Sequence, residues 1–407
     1  MKRVLSLILV LSSVFMLASC NGEKEENKDL IFWAYEPQSM AHKNQYQALI
    51  NVFEAENDIK VRVSWVVKDS YNQRLNNAIL NNRQPDIAYL DQPIMASYVK
   101  HGHVLDITEK FNQSTIIQPS DFFAASLDTV TFDGKYYGMP LTIGTSVFLY
   151  NKTYITAPED IKCWADVLAV ANEKASGDLA AFEGIGAGGY AGWYFGGFLK
   201  AAGSNLMNDD LTEVNFANEH AVEAMEYLRA LYALSPDNIR NSQHPFGNGK
   251  ALFKLGGGHD IDSLRTNFPN LKFGAMLMPP KEVGGTSYAS VGGDNLIIFK
   301  KSKKADIAFK FMEFLNSESN ALKIAEFTGN FPANDTAIKD HYQNDPERLV
   351  LREQLKTAVP RPKIEGWITV NDNNLGAAIE EILTTTVDIQ TRLNRAKREA
   401  EAYLFKK

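Results

Sequence analysis

Between residues 30 and 91 the chain changes its apolar period four times, and that rhythm restricts the fold more than any other feature. Leu30 to Ala34 is a short apolar, aromatic run, read as a strand. Tyr46, Leu49, Ile50 and Phe53 follow at spacings of 3, 1 and 3, which is one face of a helix over 41–56. Ile59, Val61, Val63 and Trp65 alternate with mostly polar residues, a second strand. Tyr71, Leu75, Ile79 and Leu80 form the next helical stripe, Pro85-Asp86 breaks it, and Ile87 to Leu90 is a third strand. Strand, helix, strand, helix, strand predicts a parallel sheet with covering helices.

The rhythm then loosens. At 407 residues the chain exceeds one ordinary core, so two large domains are expected. Phe132 to Gly138 reads as a hairpin with Asp133-Gly134 at its turn, and Val147 to Tyr150 as another strand. A Gly-rich stretch occupies 184–203. Helices are predicted over 219–234 and 303–316, with a long amphipathic C-terminal segment over 376–404. The chain shows no internal repeat, which argues against solenoids and propellers.

The N-terminus reads as an address. Lys2 and Arg3 precede a 14-residue apolar run, Val4 to Leu17, broken only by Ser6, Ser12 and Ser13. That suits a signal peptide and is short for a membrane span, which needs about 20 residues. Leu17-Ala18-Ser19-Cys20 follows, resembling the bacterial lipoprotein cleavage box; an ordinary secretory signal with an incidental Cys is the alternative. On the lipoprotein reading residues 1–19 are removed, Cys20 carries the lipid, and the charged stretch 20–29 is a flexible tether. Removal takes two of 42 basic residues and none of 49 acidic ones, so the mature charge is −9. A chain this acidic lacks the basic face that nucleic-acid binding needs.

Several motifs invite chemistry and decline it in context. Gly184, Gly186 and Gly189 satisfy G-x-G-x-x-G, but no β-branched strand precedes them, so the stretch reads as a loop entering a Tyr190–Ala202 helix. Gly256-Gly257-Gly258 lacks the Lys-Ser/Thr of a phosphate loop. His101-Gly102-His103 offers two metal ligands and no evident third, so it reads as a surface turn. Cys20 and Cys163 are the only cysteines, which excludes a disulfide scaffold and a Cys-based metal cluster. No G-x-S-x-G or H-E-x-x-H occurs. Neither a metal nor a cofactor is expected. The aromatics are more informative. Trp33, Tyr35, Trp193, Tyr194 and Trp367 sit near strand ends, Gly or Pro. Aromatic faces stack on the apolar C–H faces of sugars while carboxylates and amides take the hydroxyls; core packing is the competing role for each.

In its order of segments the chain resembles the extracellular solute-binding proteins of ABC importers, family 1, over most of residues 30–400. The resemblance rests on Phe53-Glu54 with Ile59 to Val63, Pro85 to Asp91, Gly102 to Ile107, and Asp133 to Pro140 with Phe148 to Lys152. It continues through Phe246 to Gly258, Gly292-Gly293 with Ile297 to Lys303, and Phe311 to Leu315 with Thr328 to Ala333. Two departures occur: Leu252-Phe253 replaces the usual small-Met pair, and His259 stands where the family usually has Trp.

The resemblance implies a periplasmic-binding-protein-like fold of type II. Two α/β lobes, each a mostly parallel sheet with flanking helices, would hold the ligand in the cleft between them. The expected lobes are 30–140 with 289–330, and 141–288 with 331–407, the chain crossing near Pro140, Ala289 and Phe331. The implied function is capture of a carbohydrate and its delivery to the permease subunits of an ABC importer, by a monomer anchored through lipid in the cell envelope, on the outer face of the cytoplasmic membrane or in the periplasm. It is not an enzyme on this reading. A surface glycan hydrolase, or a same-fold binder of a glycerol-phosphate ester or polyamine, are the rivals. The expected ligand-binding residues are Trp33, Tyr35, Glu36, Asp91, Trp193, Tyr194, His259, Gly293, Asp294, Arg361 and Trp367. For Asp91 the competing role is a helix N-cap, with Pro93 just inside the helix.

Overall fold

A computed structural model describes residues 29–406, except 38, 187, 339 and 340. The signal segment, Cys20 and residues 20–28 of the expected tether lie outside the described residues. Strands β1 (Leu30–Tyr35), β2 (Val61–Val66) and β3 (Ile87–Asp91) alternate with helices α1 (Met40–Asn57) and α2 (Lys68–Leu80), as the periodicity predicts. Ser39 caps α1 by accepting from the His42 N–H at 3.1 Å, and Tyr46, Leu49, Ile50 and Phe53 are its buried face. β1 runs parallel to both β2 and β3.

After β4 (Met139–Pro140) the chain leaves for a second sheet. That sheet holds β5 (Val147–Asn151), β6 (Ala180–Phe182), β7 (Ala251–Gly256) and β8 (Phe273–Met276) in the order β8-β5-β7-β6. It returns through β9 (Asp294–Ile298), giving the first sheet the order β2-β1-β3-β9-β4. Each sheet is more mixed than expected: β9 is antiparallel to β3 and β4, and β5 is antiparallel to β7 and β8. The reason for β9 is its direct arrival from the other lobe. A parallel neighbour needs a crossover connection, whereas β9 enters from the opposite end.

The crossing segments pair with one another. Thr142–Ile143 is antiparallel to Phe331–Pro332, Ala289–Ser290 is parallel to Ala358–Val359, and Gly144 bridges Gly292. Gly293 (φ 131°) lies so close that a Cβ there would be 2.1 Å from the Thr142 carbonyl oxygen. Phe123 N–H donates to the Ala333 carbonyl at 3.1 Å, so the chain stays beside the first lobe just past Phe331.

Two apolar clusters form: one fills the first lobe and continues through the crossings to Val147, Leu149 and Phe246 of the second, and the other fills the rest of the second lobe. In the first, Phe32 packs edge-on to Tyr89 and Phe311 with centroids at 5.6 and 5.3 Å. In the second, Phe148, Phe198 and Trp367 are fully buried. The Asp133-Gly134 hairpin forms, both turn residues having positive φ (49° and 72°). The C-terminal segment is two helices, Ala377–Thr384 and Ile389–Leu404; Asp388 starts the second by accepting from the Thr391 N–H at 2.8 Å. Among the described residues no helix is long and apolar enough to cross a membrane.

Candidate functional site

Where the crossings meet, the lobes enclose a cleft of about 380 Å³. The first lobe offers it the carboxyl end of β3, Lys68 just past β2 and the start of antiparallel β9. Asp294 therefore stands opposite Asp91 in register, at the edge where open α/β sheets bind ligands. Asp294 is buried, and burial pushes its carboxyl above the usual carboxylate range; the Lys68 ammonium opposes that rise and the Asp91 charge adds to it. Tyr35 stands close to Asp294, and its hydroxyl offsets part of that rise. Burial, then the charges of Asp294 and Asp91, hold the Tyr35 phenol well above its ordinary value. Lys68 opens α2 at the end of β2, its ammonium held above the ordinary lysine value chiefly by Asp294 and standing 5.3 Å over the Tyr35 ring.

Asp91 occupies the N-cap position of the 3₁₀ turn Gln92–Ile94 but makes no capping bond. Its Oδ1 instead accepts from Arg361 Nη2 at 2.9 Å. That geometry sets the cap reading aside: the carboxylate is turned to the cleft by a guanidinium from the far side of the hinge.

The opposite wall comes from α3 (Gly188–Ala202), entered from β6 through Gly184 and Gly186, whose φ of 69° and 71° turn the chain. Tyr190, Trp193 and Tyr194 share one helical face and line the cleft. Tyr190 is 71% exposed. Trp193 is half-buried, its Nε1 donating to the Val291 carbonyl at 2.9 Å and its ring 4.8 Å from Tyr194. The glycines on either side of the Trp193-Tyr194-Phe195 run, Gly192 and Gly196, open no space for a ligand. A Cβ on Gly192 would lie 2.6 Å from Asn371 Oδ1, and one on Gly196 2.7 Å from Ser290 Oγ. They admit the protein's own second lobe and hinge. Helix α4 (Gly258–Asn267) adds exposed His259 and Asp260, which accepts from the Gly257 N–H at 2.9 Å and faces Lys254 at 3.5 Å.

Of the expected residues, Asp91, Trp193, Tyr194, His259, Gly293, Asp294, Arg361 and Trp367 border this cleft, and Tyr35 supports it from beneath. Trp33 is elsewhere, lining a separate depression with Trp65 and Arg74. Glu36 is exposed and pairs with Lys43 at 3.1 Å. Trp367 is 0% exposed, so its ring belongs to the second core and has no free face for stacking. Gly293 serves the close crossing described above. Lys68, Tyr190, Asp260 and Asp372 also line the cleft and escape the sequence reading. Tyr190 was findable, three residues before Trp193 on the same helix face, and Lys68 by extending the strand-end argument to β2. Asp260 and Asp372 carried no such signal. No group of three or more metal-ligating side chains occurs among the described residues.

Two α/β lobes joined by mutually paired crossings, with a polar and aromatic cleft between them, define a two-lobed solute-binding protein. The profile of the bacterial extracellular solute-binding protein family matches residues 48–350, and the chain belongs to that family. Among relatives, the maltodextrin-binding protein MdxE of Bacillus subtilis is 28% identical, over 86% of this chain and 85% of its own. The galactooligosaccharide-binding protein of the same organism is 24% identical, over 99% and 98%. The sugar-binding protein MalE of Xanthomonas citri superposes with a TM-score of 0.82 at 20% identity, over 93% of this chain and 98% of its own. The family and these relatives are binding proteins, not enzymes.

Proposed function

We propose that this protein captures a carbohydrate in the cleft between its lobes and delivers it to the permease of an ABC importer. The observation that carries this reading is the pairing of chemistries across the cleft. Tyr190, Trp193 and Tyr194 offer ring faces on one wall, and Asp91, Asp294 and Arg361 offer charged hydrogen-bonding groups on the other. Sugars present both an apolar C–H face and a rim of hydroxyls, and charged acceptors make the stronger hydrogen bonds. The maltodextrin- and galactooligosaccharide-binding relatives support the same class. Tyr35, whose hydroxyl acts on Asp294, and His259, on the α4 rim, complete the proposed contacts.

A phosphate-bearing ligand fits less well, because each cleft cation already faces a carboxylate: Arg361 faces Asp91, and Lys68 is acted on chiefly by Asp294. The proposal extends to a monomer of two lobes divided near 140, 289 and 331. It holds the protein in the envelope through lipid on Cys20, binding without turnover. A thermal-shift panel of neutral, amino and acidic mono- and oligosaccharides, followed by calorimetry on the hits, tests it. Stabilisation by a neutral sugar with no product formed supports the reading. Stabilisation only by phosphate esters or polyamines, or release of cleaved sugar, replaces it with one of the rivals.

A further inference from the structure

Residues 360–366 leave the hinge, cross the first lobe and re-enter the second. They start beside Val359, whose carbonyl accepts from the Val291 N–H at 2.9 Å in the crossing, and end at buried Trp367. Pro360 and Pro362 fix φ at two positions and favour an extended path. Gly366 (φ 87°) turns the chain beside the Tyr403 ring, where a Cβ would come within 2.7 Å.

Along this strap alternate side chains face opposite lobes. Ile364 packs against the second core. Arg361, Lys363 and Glu365 each bond to the first lobe. Arg361 Nη2 meets Asp91 Oδ1 at 2.9 Å. Lys363 Nζ meets Asp128 Oδ1 at 2.7 Å and the carbonyls of Asp128 and Thr131 at 3.1 Å, and stands 5.5 Å over the Phe132 ring. Glu365 accepts from Lys100 Nζ at 2.7 Å and Ser97 Oγ at 3.4 Å, and pairs with His101 Nε2 at 2.8 Å. Only Arg361 lines the cleft. Lys363 and Glu365 have no place in solute recognition, yet three ionic groups at spacing two on one short strap all reach the lobe to which the strap does not belong.

We propose that this strap is an interlobe latch, in which Lys363 and Glu365 are positioning residues that hold Arg361 on Asp91 and set the balance between open and closed lobes. A hinge motion that parts the lobes must break these bonds together, because both ends of the strap are fixed to the hinge and the second lobe. Each pair is partly solvated and weak alone, but on one strap their loosening is correlated. A latch of this kind changes apparent affinity without touching solute, since affinity scales with the population of the competent conformer. The inference does not depend on which solute the cleft takes.

The test reads lobe geometry in the purified protein without added sugar. Small-angle scattering on the wild type, Lys363→Met and Glu365→Gln is compared at low and high sodium chloride, with thermal melts to confirm folding. The latch predicts a larger radius of gyration in both variants at low salt, and in the wild type at high salt, where screening weakens the same pairs. Lys363→Arg, which keeps the charge and the donors, retains the compact profile, whereas Lys363→Met, which keeps the packing, does not. Unchanged profiles in two folded variants, or a profile that Lys363→Arg widens as far as Lys363→Met does, overturns the proposal. If one variant fails to fold, the other and the salt series decide.

Discussion

Tyr190 and Trp193 stand three residues apart on one helix and are held in opposite ways, which separates binding from stability at single positions. Tyr190 is exposed at the cleft, so Tyr190→Ala should leave the melting temperature unchanged and weaken sugar binding by about 1–3 kcal/mol, by analogy with nucleic-acid bases stacking on aromatics. Trp193 also donates to the Val291 carbonyl, and Trp193→Ala should cost both affinity and stability. Calorimetry with the sugar found by screening, beside thermal melts, reads both. Asp91 accepts from Arg361 and caps nothing, so Asp91→Asn should preserve the local turn and weaken binding at least several-fold; unchanged affinity would remove it from the site. Asp294 gives a pH signature. Its carboxyl keeps a proton to higher pH in the folded protein than in the unfolded chain, so the folded state binds more protons in that window. Its contribution to stability is therefore full below the ordinary aspartate value of about 3.9 and declines as pH rises through the raised folded value. Urea unfolding across that range should show a slope that Asp294→Asn flattens.

At the scale of elements, α3 is the clearest case of sequence serving close approach. Its glycines face the hinge and the second lobe: Gly189 meets Asp372, Gly192 meets Asn371, Gly196 meets Ser290, and Gly197 lies 2.8 Å, Cβ to Cα, from Ala289. Glycine costs helix stability at each position, about 0.5–1 kcal/mol relative to alanine. The contacts show why that cost is borne: Gly192 and Gly197 lie against the backbone of Asn371 and of Tyr288-Ala289, and Gly189 and Gly196 against the side chains of Asp372 and Ser290. Gly197→Ala, built against Ala289 and the Tyr288 carbonyl, should destabilise by about 1–3 kcal/mol, the cost of overpacking, despite alanine's better helix propensity. A higher melting temperature for that variant would show the helix to be looser than its geometry. The same tight seat fixes Tyr190, Trp193 and Tyr194 on the free face of α3, so binding geometry here depends on residues that touch no solute.

For the whole molecule, the paired crossings and the cleft between two lobes, each with its own sheet, predict motion about a hinge. Scattering with saturating sugar should give a smaller radius of gyration than without it, and an unchanged profile with a demonstrated ligand would mean a rigid cleft. The proposed anchor gives a second test: Cys20→Ala in a lipoprotein-processing host should move the protein from the membrane fraction to soluble or unprocessed forms. Much of this architecture was legible in the chain. The alternation of periods over 30–91 gave β1 to β3 and their helices, because burial on one face of a helix or sheet imprints its period locally. The carboxyl ends of β1 and β3 pointed to Glu36 and Asp91; Asp91 borders the cleft, whereas Glu36 is exposed and pairs with Lys43. What the chain could not show is which aromatic faces solvent. Trp33, Trp193 and Trp367 look alike beside Gly, Pro or a strand end, yet one lines another depression, one borders the cleft and one has no exposed surface. Nor could it show that Asp91 meets Arg361, 270 residues away, or that Asp260 and Asp372 converge on the same cleft. Local period depends on neighbours three or four residues apart and is written in the sequence; exposure and charge pairing depend on segments brought together by the crossings, and only the folded arrangement of the two lobes decides them.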